Sequence, residues 1–329
     1  MLRRAFAIAF ASVFVAAACG GSAQPSTQSQ APSPTVALGT ADRPLVMAFV
    51  PSQDTARITA SGKAITASLE AATSLKWEVK VPISYAAVVE GLCAGQIDVA
   101  WLNTLSYVLA HQKNCADLLL ASVRNDETGK PSTTYNSQIL VRTDSGINTI
   151  ADLKGKRFAF VDPISTSGTL FPTLKIKAET GQDPKTFFSQ TVFAGGHDKA
   201  VLALYQGSVD GAASFIDART LVKTQFPDIM EKTKVIATAG PIPNDTVSVR
   251  STLPADLKTK IQTALLAYAK TDDGKKALKS LYSIDGLDKA DPKVYEPVAE
   301  AAKTIGLDLD KEAQVTAKPV ATPAPSKSP

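Results

Sequence analysis

The chain has 329 residues, a formal net charge of +4 and charged side chains at 20% of positions. That length exceeds one small domain and suits two lobes of ordinary size, and an apolar share of 44% supplies a core for both. With no basic stripe interleaved with aromatics, nucleic acid is excluded as a partner, and two histidines with three cysteines offer no zinc-ligand spacing, so no metal or cofactor is expected.

Arg3 and Arg4 precede an apolar run, Ala5 to Ala18, that is too short to span a bilayer comfortably. Residues 1–18 therefore read as a signal peptide. Ala16, Ala17 and Ala18 lead to Cys19, and Gly20 and Gly21 follow, which resembles a bacterial lipobox with Ala16 where Leu is usual. Cleavage before Cys19 and lipidation of its thiol are expected; an ordinary secretory signal with a chance cysteine is the alternative. The two arginines leave with the signal, which takes the net charge from +4 to +2. Residues 19–42 are rich in Ser, Gln, Pro, Ala and Thr and lack periodicity, as a disordered tether would. Residues 314–329 have similar composition and read as a disordered tail.

The body alternates strands and helices. Leu45 to Val50 reads as a buried strand, and Ala56 to Leu75 as a helix with Ile58, Ile65, Leu69 and Ala72 on one face. Trp77 to Ile83 alternates like a strand. Ser84 can cap a helix carrying Tyr85, Val88, Val89 and Leu92, which stops near Gly95. Ile97 to Leu102 is a strand, Leu105 to His111 a helix, and Leu118 to Val123 and Gln138 to Arg142 are strands. The rhythm restarts with a turn at Ile150 to Leu153, a strand at Arg157 to Val161 and a helix at Thr169 to Glu179 ending near Gly181. Then come a strand at Thr191 to Phe193, a helix at Asp198 to Tyr205, a strand at Val209 to Phe215, a helix at Ala218 to Phe226, and strands at Val235 to Ala237 and Thr246 to Val249. From Pro254 onward the pattern is helical. This order predicts βαβ units and mostly parallel sheets. The expected division is a first lobe over 43–137, a second over 138–242, and a return to the first over 243–313.

A short repeat supports two similar lobes. GQIDVA, Gly95 to Ala100, matches GSVDGA, Gly207 to Ala212, and both follow an apolar helix and open a strand. Cys93 and Cys115, an even pair in an exported chain, are expected to form a disulfide; closing such a loop stabilises by about 3 kcal/mol.

The stretch VDPISTSGTLFP places Ser165, Thr166 and Ser167 after a strand and before a helix, with Gly168 beside them. The first N–H groups of a helix lack partners inside it and carry the positive end of its dipole, so hydroxyls there make an uncharged anion cradle. The bland alternative is an N-cap with surplus polar residues. His197, in AGGHD, also follows a strand and opens a helix, and is either a second donor or a solvent-facing cap. Asp217 ends the strand AASFI, and Asp245 lies in PIPND, a segment stiffened by Pro241 and Pro243. A carboxylate accepts a hydrogen bond from a protonated oxyanion or an ammonium and repels a fully ionised anion such as sulfate. A surface role for each acid is the plain alternative.

YAAVVEG, GQIDVAW, STSG, AGGHD and PIPND, in this order, resemble the substrate-binding proteins of phosphate, phosphite and phosphonate ABC transporters, across about Leu45 to Leu281. The resemblance implies an α/β, two-lobed type II periplasmic binding protein, each lobe a sheet flanked by helices. Two crossing segments, near Asn136–Val141 and Pro241–Val247, would form the hinge. It places the phosphonate cradle on Ser165, Thr166 and Ser167, the cleft histidine on His197, cleft tyrosines on Tyr85 and Tyr135, and cleft acids on Asp217 and Asp245. One branch has Glu where Asp217 stands and an aromatic residue where Leu102 stands. The implied partners are a small phosphorus oxyanion, membrane permease subunits and a lipid anchor, with the protein a monomer outside the cytoplasm. Rival readings are a binding protein for a sulfonate or another small organic ligand, and a serine hydrolase using Ser167, His197 and Asp217, although the G-x-S-x-G elbow is absent.

Overall fold

The computed structural model describes residues 37–126 and 128–306. The expected signal peptide (1–18), Cys19 and the tail (314–329) lie outside the described residues. The expected tether reaches into the fold at its end. Gly39 is buried with a left-handed backbone, and its N–H and C=O pair with Arg43 and Lys76.

In the first sheet, β1 (Leu45–Phe49) pairs in parallel with β2 (Trp77–Lys80) and with β3 (Val99–Leu102). Helices α1 (Thr55–Thr73) and α2 (Tyr85–Cys93) make the crossovers, and α3 (Thr104–Gln112) leads to β4 (Ala116–Asn125). Ser84 caps α2 by accepting from the Ala87 N–H at 3.2 Å. β4 pairs with the short β5 (Pro131–Ser132), after which β6 (Thr134–Arg142) enters the second sheet.

There β7 (Arg157–Phe160), α4 (Phe171–Thr180), α5 (Pro184–Phe187) and β8 (Gln190–Phe193) build one parallel unit. α6 (His197–Tyr205) and β9 (Gly211–Phe215) complete the next. The stretch expected as a helix over Ala218 to Phe226 is a 3-10 turn, Ala218–Leu221, followed by turns. After α7 (Ile229–Lys232), the long β10 (Thr233–Pro243) runs antiparallel to β6 and returns the chain to the first lobe as β11 (Thr246–Arg250). α8 (Ala255–Tyr268), α9 (Asp272–Tyr282), β12 (Gly286–Asp288) and α10 (Glu296–Thr304) finish that lobe.

Both sheets are mixed. β1 with β2 and β3, and β7 with β8 and β9, pair in parallel, whereas the strands that flank the two interlobe crossings (β6, β10, β11) and the edge strand β12 pair antiparallel. The antiparallel partners of β11, β3 and β4, lie far from it in sequence, which the local βαβ rhythm does not reveal.

The short repeat is structural. Gly95 and Gly207 both take positive φ, 69° and 75°, as helix-ending residues. Asp98 Oδ2 accepts from the Val46 N–H at 2.9 Å, and Asp210 Oδ2 from the Arg157 N–H at 2.9 Å, while each Asp N–H donates back to the same residue's carbonyl. Each carboxylate also takes an arginine, Arg250 for Asp98 and Arg157 for Asp210. Each lobe thus pins the start of its parallel strand pair by the same device.

The chain crosses between lobes at two neighbouring points. The Asn244 N–H donates to Thr133 C=O at 3.0 Å, and Asn244 Nδ2 to Ser132 C=O at 2.7 Å. The first crossing therefore lies at Ser132–Thr134 and not at Asn136–Val141, whose residues are committed to ladders with β10 and β9. Cys93 and Cys115 are joined in a disulfide that ties the end of α2 to the chain just before β4. Phe158 stacks on Phe188 at 4.4 Å in a phenylalanine-rich core of the second lobe. A larger apolar cluster reaches across the lobe boundary, joining Trp101 and Leu105 to Ile164 and Leu170.

Candidate functional site

The cradle begins where β7 ends. Ser165 has extended backbone and its Oγ accepts from the Gly168 N–H at 3.1 Å, so the hydroxyl proton remains free to donate. Thr166–Leu170 is a π-helical turn that runs directly into α4. By position, the N–H groups of Thr166 and Ser167 have no partner within that helix. Gly168 is required by space, since a Cβ there would drive into Val161 and sit 2.9 Å from Ser165 Oγ. The chain can make this tight strand-to-helix turn only without a side chain at that point.

Ser165 and Ser167 line a small cavity of about 30 Å³ between the lobes. His197, at the start of α6, faces the same cavity, as do Tyr85 from α2, Tyr135 from β6 and Asp245 between β10 and β11. Six of the expected site residues therefore converge. Thr166 is fully buried and does not line the cavity. Its Oγ1 accepts from the Leu105 N–H at 2.8 Å and from Asn103 Nδ2 at 2.9 Å, both in the first lobe. Asp217 is not brought to the cavity. It sits exposed at φ 63° before the 3-10 turn, in an outer groove. β9 ends at Phe215, and it is Phe215 that faces the cavity. Leu102 is buried in pairing with Thr246, and the next residue, Asn103, supplies the cavity wall.

His197 is neutral. Burial, reinforced by the Arg124 guanidinium, pushes its imidazole down to about 3. Nδ1 lies 2.8 Å from Ser214 Oγ. When Ser214 donates to Nδ1, the opposite ring nitrogen carries the proton and presents a donor to the cavity. Burial raises Tyr85 and Tyr135 well above the usual phenol range, so both stay protonated donors. The Tyr85 hydroxyl has no hydrogen-bond partner among the described residues. Burial also raises the Asp245 carboxyl, against the pull of Arg124.

Arg124 is the main residue that sequence reasoning missed. Its Nη2 donates to Asp245 Oδ2 at 2.8 Å, and its guanidinium carbon lies 5.1 Å from the Tyr135 ring centre and 5.4 Å from that of Phe215. Nε of Arg124 and Oδ1 of Asp245 are buried without a hydrogen-bond partner. The sequence carried a signal: a lone cation closing an apolar strand at its carboxyl end, where ligands of open α/β sheets bind. Gln53 and Tyr282, also on the wall, are held by bonds to the Leu281 and Val50 carbonyls.

Hydrogen bonds stitch the two lobes together around the cavity. The His197 N–H donates to Ser52 C=O at 2.7 Å, Asn103 Nδ2 to Ile164 C=O at 2.9 Å, and the Tyr85 N–H to Asp162 Oδ2 at 3.4 Å. Ser167, His197 and Asp217 do not come together, since His197 Nδ1 meets Ser214 and Asp217 lies outside the cavity. Among the described residues no group of three or more His, Cys, Asp or Glu could hold a metal ion, and no helix is long and apolar enough to cross a membrane.

A profile of the family described as "ABC transporter, phosphonate, periplasmic substrate-binding protein" matches residues 47–295. The chain belongs to this family. Among curated relatives of this phosphonate-binding family, it is 35% identical over 208 residues to the phosphate-import protein PhnD of Mycolicibacterium smegmatis, covering 61% of each chain. It is 32% identical over 201 residues to the phosphonates-binding periplasmic protein of Escherichia coli, covering 60% of this chain and 58% of the relative. The chain thus spans about three fifths of the length of these relatives. Among solved structures, a binding protein component of an ABC phosphonate transporter from Pseudomonas aeruginosa superposes with TM-score 0.71 at 20% identity, covering 82% of this chain and 95% of the other. PhnD1 from Prochlorococcus marinus, solved in complex with methylphosphonate, gives 0.69 at 18% identity, covering 80% and 98%. These structures share the two-lobed periplasmic-binding-protein fold.

Proposed function

We propose that the protein is the extracytoplasmic substrate-binding component of an ABC importer, that it closes on a small phosphorus oxyanion between its lobes, and that it delivers the guest to membrane permease subunits without chemical change. The observation that carries this reading is the meeting of Ser165, Ser167, His197, Tyr85, Tyr135 and Asp245 in one interlobe cavity. Neutral hydroxyl and imidazole donors surround the guest's oxygens, and a carboxyl of raised affinity for protons shares a proton with it. Relatives named for phosphate import and for phosphonate binding support the ligand class.

Each lobe supplies part of the grip, so binding and closure are coupled, and only the closed form offers the permease a continuous surface from both lobes. Lipidation of Cys19 would hold the protein at the outer face of the membrane. Radiolabelled palmitate incorporation that disappears in Cys19→Ala tests the anchor. Calorimetry against phosphate, phosphite, methylphosphonate, 2-aminoethylphosphonate and sulfate tests the ligand. A protonatable phosphorus oxyanion should bind and sulfate should not; binding of sulfate alone would overturn the reading.

A further inference from the structure

Resting on the proposed oxyanion site, we propose that Arg124 is its specificity-determining residue: it contacts the guest directly and walls the chamber against ligands bearing a cationic substituent. Two spaces meet at this residue. The anion chamber of about 30 Å³ and an outer groove of about 770 Å³ share Arg124, Tyr135 and Phe215 as lining. The guanidinium, held against both rings, is the partition between them.

Three observations make the partition a ligand contact as well as a plug. Its Nε is buried with no partner, so a donor remains after Nη2 has met Asp245. Its side chain is only 12% exposed, which makes an unused donor costly unless something accepts from it. The donors already facing the cavity from Ser165, Ser167 and His197 are uncharged, so Arg124 is the formal cation on the chamber wall. A phosphoryl oxygen placed among these groups completes the set with a charge-assisted bond.

Selectivity follows from the same geometry. The chamber side of the partition, at about 30 Å³, disfavours any guest larger than a compact oxyanion. A 2-aminoethyl arm must pass the partition, carrying an ammonium toward a guanidinium, and the chamber acid, Asp245, has Oδ2 on Arg124 and only Oδ1 left, which the proton shared with the oxyanion takes up. Carboxylates that would receive an amine, such as Asp217, stand beyond the partition in the outer groove.

Calorimetry with phosphate, methylphosphonate and 2-aminoethylphosphonate tests this on the wild type, on Arg124→Gln and on Arg124→Gln/Asp245→Asn, the last leaving no unpaired buried charge should the single variant fold poorly. The wild type should favour phosphate or methylphosphonate over the amine by at least about 10-fold. Both variants should lose about 10- to 100-fold in phosphate affinity and most of the discrimination. A wild type that binds phosphate and the amine equally, or variants whose affinity and discrimination are unchanged, overturns the role of Arg124 while leaving the oxyanion reading standing. A wild type that binds none of the three overturns both.

Discussion

Thr166 Oγ1, in the second lobe, accepts hydrogen bonds from the Leu105 N–H and the Asn103 side chain of the first. The middle hydroxyl of the triplet is thus a clasp between lobes, flanked by two residues that line the cavity. Thr166→Val keeps the shape and removes the acceptor, leaving two buried donors unmet at a cost of about 1–3 kcal/mol to the closed form. Ligand affinity should fall by about 10-fold or more with little change in the far-ultraviolet circular dichroism. Small-angle scattering with ligand present should show a larger radius than wild type. Unchanged affinity and radius would remove Thr166 from closure.

His197 governs stability on the acid side. Its folded pKa, about 3, lies below the unfolded value near 6.5, so its contribution is complete above about pH 6.5 and is lost as pH falls toward 3. Within that window it adds a slope of about 1.4 kcal/mol per pH unit. His197→Gln should flatten the fall of melting temperature between pH 6.5 and 4, and should weaken ligand binding by about 10-fold. A wild-type affinity that climbed below pH 6.5 as an imidazole protonated would contradict a neutral donor.

Asp162 acts with the opposite sign. Burial lifts its carboxyl to about 6, while the Ile164 and Tyr85 N–H groups pull the other way. Stability from this group is therefore fully present below about pH 4 and is lost as pH rises through about 6, a difference of about 3 kcal/mol at most at neutral pH. Asp162→Asn removes the buried charge but puts an amide where one of two N–H groups needs an acceptor, so a net gain of about 1 kcal/mol at pH 7 is expected. The gain should vanish in urea titrations at pH 4; a variant less stable than wild type at both pH values would show that the carboxylate is favoured where it stands.

Gly168 is a steric requirement. Gly168→Ala must push Val161 or Ser165 aside, so a loss of about 1–3 kcal/mol is expected, together with weaker oxyanion binding because Ser165 Oγ moves. A thermal melt and calorimetry on the same sample would check both; an unaffected melting temperature would mean that the turn relaxes freely.

Local chemistry was readable in the sequence, and long-range return was not. Ser84 as a cap, Gly95 and Gly207 as helix ends, and the Ser165–Gly168 turn depend on neighbours within a few residues, and the structure has each of them. The repeated Asp98 and Asp210 were visible as strings, and their shared bonds to Val46 and Arg157 supply the reason. Asp217 was misplaced because its position past the strand end, two residues beyond Phe215, turns the backbone left-handed and carries the side chain out of the cleft. Arg124 was missed because its partners, Asp245 at a separation of 121 residues and Phe215, come from segments that only the folded topology brings beside it. The antiparallel strands went unread for the same reason.

The two interlobe connections lie side by side, bonded through Thr133 and Asn244, and each carries a wall residue of the cavity within two positions of the crossing, Tyr135 on one and Asp245 on the other. Points near a fulcrum scarcely travel when a lever swings, so in a hinge closing about these crossings Tyr135 and Asp245 would be the wall residues that move least. An arriving molecule would then meet that corner first and the donors of Ser165, Ser167 and His197 last, an order set by distance from the pivot.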